Sequence, residues 1–546
     1  MPENDATEPG LTAVPLVRSD LPEDAGTVPD VSDLGAADRL GGAGTAYAAS
    51  AGHRATAVID DDEARSGGLT LPSEQDPLVA AATERIGGPL GRRVRGFLGF
   101  WSPLRVLVML TTSSFVLAYL QKLPCRLEGF SGDASYTRLC YSDIPPLYAG
   151  RGFAEGLFPY VGIGGDRPLE YPVLTGYFMQ LASWLTGSSG SVGERSVAFF
   201  DWNALLIFVC LMVTVIATAL TVRRRPWDAA MVALAPSTIL CLLINWDMLA
   251  VALTAVSMLL WSRSRPFLSG VLLGLAIAAK FYPVLLLGPL FLLCLRGGKL
   301  KEYAGLVGGA AASWGVVNVP IMLVSFDGWA EFYRFSSDRG ADWGSIWYVF
   351  LAMGHPVPAG SVNNLAIGVL AVLCLGITLL ATGARRRPRF AQLAFLVVAA
   401  FCITNKVYSP QYVLWLIPLA VMARPRWRDF LIWQVGEVLY FAAIWYFLLG
   451  YGNDNNKALP EGWYVAAILV HIALTLWFAA MIVRDILRPE YDPVRSDGRP
   501  EHEDDPGGGV LDGADDWLAP RWATTSEAPR PAGTHSGLHS AHDDRA

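Results

Sequence analysis

The stretch YPVLTGYFMQLASWLTG, residues 171–187, is apolar enough to pass for a membrane crossing, and whether it crosses decides the fold. The answer lies in the basic residues around it. Twelve other apolar segments run at about 105–121, 198–222, 228–244, 248–262, 266–281, 283–296, 303–324, 361–382, 389–404, 410–423, 428–450 and 463–483. Several fall short of the ~20 residues a spanning helix needs, so the closely paired ones read as broken or tilted helices. Arg92, Arg93 and Arg95 precede the first segment, and Arg223, Arg224 and Arg225 follow the second. Arg263 and Arg265 follow the fourth, and Arg296, Lys299 and Lys301 the sixth. Arg385, Arg386 and Arg387 follow the eighth, Arg424, Arg426 and Arg428 the tenth, and Arg484 and Arg488 the last. With about twelve crossings every cluster falls on one side, which the positive-inside rule makes the cytoplasm, and both termini lie there too. A crossing at 171–187 would place Arg223, Arg224 and Arg225 outside. The stretch is therefore expected to lie along the membrane as an interfacial or re-entrant helix, within an extracytoplasmic loop over 122–197. Residues 343–354, in the other long outer loop, read the same way.

Composition agrees. Of 546 residues, 53% are hydrophobic and 17% charged, too apolar for a soluble protein and suited to an all-α polytopic membrane protein. The net charge of -7 conceals an uneven distribution, with acidic residues crowding the ends and Arg lying between the spans. That pattern speaks against nucleic acid as a partner. No cleavable signal peptide follows Met1, so the first span is expected to direct insertion itself. Residues 1–95 and 489–546 are too polar and too rich in Gly, Ala and Pro to bury a core. Both are expected to be disordered cytoplasmic tails around a membrane domain at 96–488. Cys210, Cys241, Cys294, Cys374 and Cys402 sit in apolar runs, where Cys behaves as a small hydrophobe. Cys125 and Cys140 share the first loop and can form a disulfide there if it is extracytoplasmic and their Cα atoms lie close enough.

The first loop also carries Asp143, in Tyr-Ser-Asp-Ile, and Glu170, in Leu-Glu-Tyr-Pro, with aromatics threaded between them. Aromatics beside carboxylates suit a sugar site at a membrane surface. Outside the cell nucleotide sugars are absent, so transfer there requires a lipid-borne donor. A carboxylate in hydrogen-bond reach can take the proton of an acceptor hydroxyl, and a lipid phosphate leaves as a stable anion without a general acid. The plain alternative for Asp143 is an Asp in a Pro-rich turn. Asp247, in Asn-Trp-Asp, suits either a helix cap or a site residue, and Asp201 reads as the cap of the second span. Lys280 and Lys406 lie in outer turns, each followed by Tyr and Pro. They suit either snorkelling anchors or a pair of cations that grip a phosphate. His355 reads as an ordinary loop residue. No Gly-rich phosphate loop, Asp-x-Asp dyad or His-x-x-x-His pair is present in the outer loops, and neither a cofactor nor a metal is expected.

Three passages carry a resemblance. Ser142 to Tyr148 (SDIPPLY) is followed by GLFPY at 156–160 and by EYP at 170–172. GLAIAAKFYP occupies 274–283, and NKVYSPQYVLWL occupies 405–416. In this order the chain, over about 100–485, resembles the GT-C superfamily of polytopic glycosyltransferases, most closely glycosyltransferase family 87. That family includes actinobacterial polyprenol-phosphate-mannose-dependent mannosyltransferases and some arabinofuranosyltransferases. The resemblance implies a GT-C-like bundle of about 12 transmembrane helices and a transfer of mannose, by single displacement with inversion, from a polyprenyl phosphate to an acceptor outside the cytoplasmic membrane. The acceptor is a glycolipid, a polysaccharide or a protein. Asp143 matches the family's proposed base, with Glu170 as its partner where members more often carry an uncharged residue. Lys280, Lys406, Tyr408, Gln411, Asp247 and Tyr171 are assigned, on topology, to the donor's phosphate and sugar. Arabinofuranose is the second choice of sugar. A lipid or sugar transporter or flippase is the rival class, since intramembrane charges and broken helices suit it too. The lack of an obvious inverted repeat, and charges gathered at one face, argue against it.

Overall fold

A computed structural model describes residues 69–87, 101–161, 169–451, 457–496 and 504–518. The expectations for 1–68, 88–95, 497–503 and 519–546 lie outside the described residues. Among the described residues the chain is helical, with no strand. The helices used below are α1 (Pro77–Gly87), α2 (Pro103–Leu127), α3 (Ile144–Gly150), α4 (Val173–Thr186) and α5 (Val192–Thr221). They continue as α6 (Asp247–Ser262), α7 (Pro266–Ala279), α8 (Leu287–Arg296), α9 (Leu300–Val324), α10 (Phe326–Asp338) and α11 (Ile346–Ala352). The last are α12 (Ala359–Gly383), α13 (Phe390–Thr404), α14 (Val413–Ala423), α15 (Trp427–Leu449) and α16 (Glu461–Leu487).

Six of these, α2, α5, α9, α12, α15 and α16, are long and apolar enough to cross a membrane. At 1.5 Å per residue, a 14-residue helix such as α7 reaches only about 21 Å, short of a ~30 Å hydrocarbon core. The apolar run expected at 228–244 is broken further, into a 3-10 turn at Pro226–Ala229 and two short helices, Ala230–Leu234 and Pro236–Cys241. Pro236 is the cause, because it has no amide to donate and forces Ala235 out of the helical region. Short helices this apolar must bury their ends among neighbours, and α13 and α14 are buried along nearly their whole length.

The ambiguous stretch 171–187 forms α4, only 14 residues long. Its buried face, Val173, Gly176, Met179, Gln180 and Ser183, turns toward the loop and α5. α5 begins earlier than read, at Val192, where Ser191 and Glu194 complete a capping box. Asp201 is therefore no cap. It lies well inside α5, where Arg126 holds both its oxygens at 2.8 and 2.6 Å and the Tyr119 hydroxyl donates to it at 2.7 Å.

The Arg-bearing turns gather at one end of the bundle. Arg223 donates to the Ser262 carbonyl and Arg263 to that of Leu220, while Arg424 pairs with Asp429 and Asp485. Parts of both expected tails are docked here, which corrects the reading of those parts as disordered. Asp492 is held by buried Arg389 at 2.8 and 2.9 Å, Asp504 by Arg386 and Arg495 at 2.8 Å each, and Asp516 by Arg296 at 2.6 and 2.7 Å. Near α1, Asp76 accepts from the Trp427 amide at 2.8 Å. The acidic residues that make these segments look unfoldable in isolation are the ones that meet the arginines.

Candidate active site

The opposite end holds a cavity of about 650 Å³, walled by the first loop, the turns before α6 and after α7, α10, the Ser409–Tyr412 turn and α15. The Asn-Trp-Asp turn organises it. Asp143 opens α3, and its amide donates to the Ile244 carbonyl at 2.8 Å, which seats the first loop on that turn. One carboxylate oxygen accepts from the Tyr141 hydroxyl at 2.7 Å, and the other accepts from Asn245 Nδ2 at 2.9 Å. The same Asn245 amide donates to the Tyr171 hydroxyl at 2.8 Å, so one side chain aligns two walls. Asp143 is half-buried and lines the cavity. Burial pushes its carboxyl above the ordinary range, against the opposing pull of Tyr141, Asn245 and Lys280.

The other lining charges are paired. Arg151 holds both oxygens of Glu170, at 2.7 and 2.8 Å. Lys280 meets Asp247 at 3.1 Å and lies over the rings of Tyr171 and Trp415 at 5.6 and 6.0 Å. Arg339 pairs with Asp342. Among the described residues Asp143 makes no ion pair, only hydrogen bonds from neutral donors, and it is thereby the lining carboxylate least committed to a cation. Among those residues no group of three His, Cys, Asp or Glu is arranged to hold a metal ion.

Of the residues singled out in the sequence, Asp143, Glu170, Tyr171, Lys280 and Gln411 share this cavity. Asp247 lies beneath it, wholly buried, and caps nothing: it is the first residue of α6, and one oxygen accepts from Trp415 Nε1 at 2.7 Å beside Lys280. Lys406 and Tyr408 are not in the cavity wall. The Lys406 ammonium donates to Ser337 O at 2.9 Å and to Asn363 Oδ1 at 2.7 Å, and Tyr408 is buried against His471. Both depart from the expected donor contacts, because in this turn the side chains of Lys406 and Tyr408 point away from the cavity, into α10 and α12 and toward α16. His355 is exposed and away from the wall. Cys125 and Cys140 are joined, with Cα atoms 5.8 Å apart.

Sequence reading passed over Asn245, Tyr141, Arg339 and Trp445. Asn245 and Tyr141 stand beside residues it did choose, and a donor two positions from a candidate base is a usable signal. Trp445, on α15, stacks on Tyr141 at 4.4 Å, and Tyr136 stacks on the same ring at 5.8 Å. Only the fold brings these three rings together. Lys122, inside α2, fixes the same segment by donating to the Tyr141 carbonyl at 2.8 Å.

No curated protein matches the chain. Residues 170–404 match the model of glycosyltransferase family 87. The match takes in Asn245, Asp247, Lys280 and Arg339 and begins after Asp143. Over that stretch the chain is similar to glycosyltransferase family 87, a family of glycosyltransferases, and its long apolar helices suit a membrane enzyme of that kind.

Proposed function

We propose that this cavity transfers mannose from a polyprenyl phosphate to an acceptor hydroxyl on the extracytoplasmic face, with Asp143 as general base. The observation that carries the reading is the state of Asp143. Its carboxylate faces a large aromatic-lined cavity, makes no ion pair among the described residues, and is made more basic by burial. A hydroxyl proton passes to Asp143 as the new C–O bond forms at the sugar's anomeric carbon. The bond from that carbon to the phosphate oxygen breaks with its electron pair on the phosphate, so one carboxylate suffices and the configuration inverts. Lys280 and Arg339 flank the cavity as the cations for that phosphate, and Tyr171 and Gln411 offer the sugar polar contacts. Glu170, with both oxygens on Arg151, receives no proton-transfer step and fixes the loop instead. A membrane domain over 96–488, with the docked parts of both end segments held on its basic end, and the disposition of the site outside the membrane, with both termini inside, belong to the same proposal. They are supported by the gathering of the basic turns at the far end of the bundle.

The test is Asp143→Asn in membranes supplied with labelled polyprenyl-phosphate mannose. Transfer is expected to fall about 10²–10⁴-fold at unchanged protein level, the usual worth of a positioned base. Undiminished transfer removes Asp143 from the mechanism.

A further inference from the structure

Three segments of chain meet around one backbone carbonyl at the edge of the cavity. The carbonyl of Ser337, in the last turn of α10, accepts from Lys406 Nζ at 2.9 Å and from Asn363 Nδ2 at 2.9 Å. Lys406 Nζ also donates to Asn363 Oδ1 at 2.7 Å, which closes a ring of three bonds. The carbonyls of a helix's last turn have no partner within the helix, and that end of the helix dipole attracts a cation. Lys406 is 7% exposed and makes no ion pair among the described residues. A snorkelling anchor would keep its ammonium in water. This one is drawn inward at a desolvation cost, and what it receives in return is the end of α10 and the start of α12.

The consequence is geometric. α10 carries Phe332, Phe335 and Ser336 to one wall of the cavity and Arg339 just beyond its end, while Ser409 and Gln411, soon after Lys406, form part of another wall. The backbone agrees with the side chains, since the Asp342 amide donates to the Lys406 carbonyl at 2.9 Å. At its other end α10 is held by the Ser325 cap and by Trp329 Nε1 on Asn318 at 3.1 Å. We propose that Lys406 is a positioning residue: with Asn363 it clamps the C-terminal end of α10, so that Arg339 and the α10 aromatics stand at a fixed distance from the Gln411 wall. The clamp sets how well the cavity holds the lipid-phosphate donor. Its effect on turnover rests on the cavity being the active site proposed above.

The experiment compares full-length wild type with Lys406→Met, Asn363→Leu and Lys406→Arg. Amide hydrogen exchange over 333–340 is read alongside the KM and kcat for polyprenyl-phosphate mannose. Met and Leu are each expected to speed exchange there and to raise KM, both by about tenfold, the worth of one lost hydrogen bond, with a smaller change in kcat. Arg, which keeps a cationic donor, is expected to restore much of both. Unchanged exchange in both Met and Leu variants overturns the clamp. So does a loss of kcat in Lys406→Met with KM and exchange unaltered, since the ammonium would then act on the reacting atoms. If Lys406→Met does not accumulate, Asn363→Leu decides by the same readings. The exchange result stands apart from Asp143→Asn, so failure of the clamp and failure of the proposed base are told apart.

Discussion

At the scale of single residues, Asn245 matters more than its neutrality suggests. It supplies one of the two hydrogen bonds that hold Asp143 and lowers the affinity of that carboxylate for a proton. Replacing it with Leu removes that pull, so the Asp143 carboxyl rises further above its ordinary range. A protonated carboxyl cannot accept the acceptor's proton. Activity is therefore lost as pH falls through the Asp143 pKa, and in Asn245→Leu that loss begins at a higher pH than in wild type. A hydrogen bond to a charged group is worth about 1.5–3 kcal/mol, so kcat/KM near neutrality is expected to fall about 10- to 100-fold. A pH–rate profile checks both expectations, and an acid limb that does not move denies Asn245 its part in tuning the base. The candidate base was legible because an Asp among Pro and aromatic residues needs a reason. Lys406 was misread for an equally physical cause: a cation in an outer turn looks the same in sequence whether it faces a ligand or its own helices.

Among elements, the helices followed the apolar runs closely, and what escaped was whatever apolar runs do not record. α10 is amphipathic and of low overall hydrophobicity, so a search for membrane spans passes over it, yet it forms a wall of the cavity. The contact of α7 with α9 was equally hidden, since it rests on glycines rather than on large side chains. A Cβ at Gly270 would stand 1.9 Å from the Leu306 carbonyl oxygen, and one at Gly274 would stand 2.2 Å from that of Ala310. Backbones this close have no room for a methyl group. Gly270→Ala is expected to cost about 1–3 kcal/mol, the usual price of overpacking. Gly305→Ala, where the added carbon meets nothing within 4 Å, should stay within ~0.5 kcal/mol. Thermal unfolding of the purified variants in one detergent measures the difference, and equal melting temperatures would refute the close-packing account.

For the whole molecule, the arithmetic of Arg clusters had consequences well beyond counting helices. It keeps 171–187 out of the membrane-spanning set, a reading that the length of α4 does not decide, since α7 is equally short and α14 shorter. It did not show that the acidic ends return to the basic face, because ion pairs between distant segments leave no periodicity. Orientation is open to direct measurement. Ser131, exposed in the first loop, and Ser264, exposed between α6 and α7, lie at opposite ends of the bundle in the proposed topology. In intact cells a membrane-impermeant maleimide should label Ser131→Cys and should reach Ser264→Cys only after permeabilisation. The reverse pattern would leave a polyprenyl-linked donor on the wrong side of the base.

The docked residues 489–496 and 504–518 bear on how the protein is made. Arg296, Arg386 and Arg389 are translated well before their carboxylate partners Asp516, Asp504 and Asp492. In the proposed topology these guanidinium groups are free, until then, to retain and orient the nascent helices as topogenic signals. The anions that neutralise those signals arrive only as Asp492, Asp504 and Asp516 emerge, so closure of the basic face waits on residues 100 or more positions downstream.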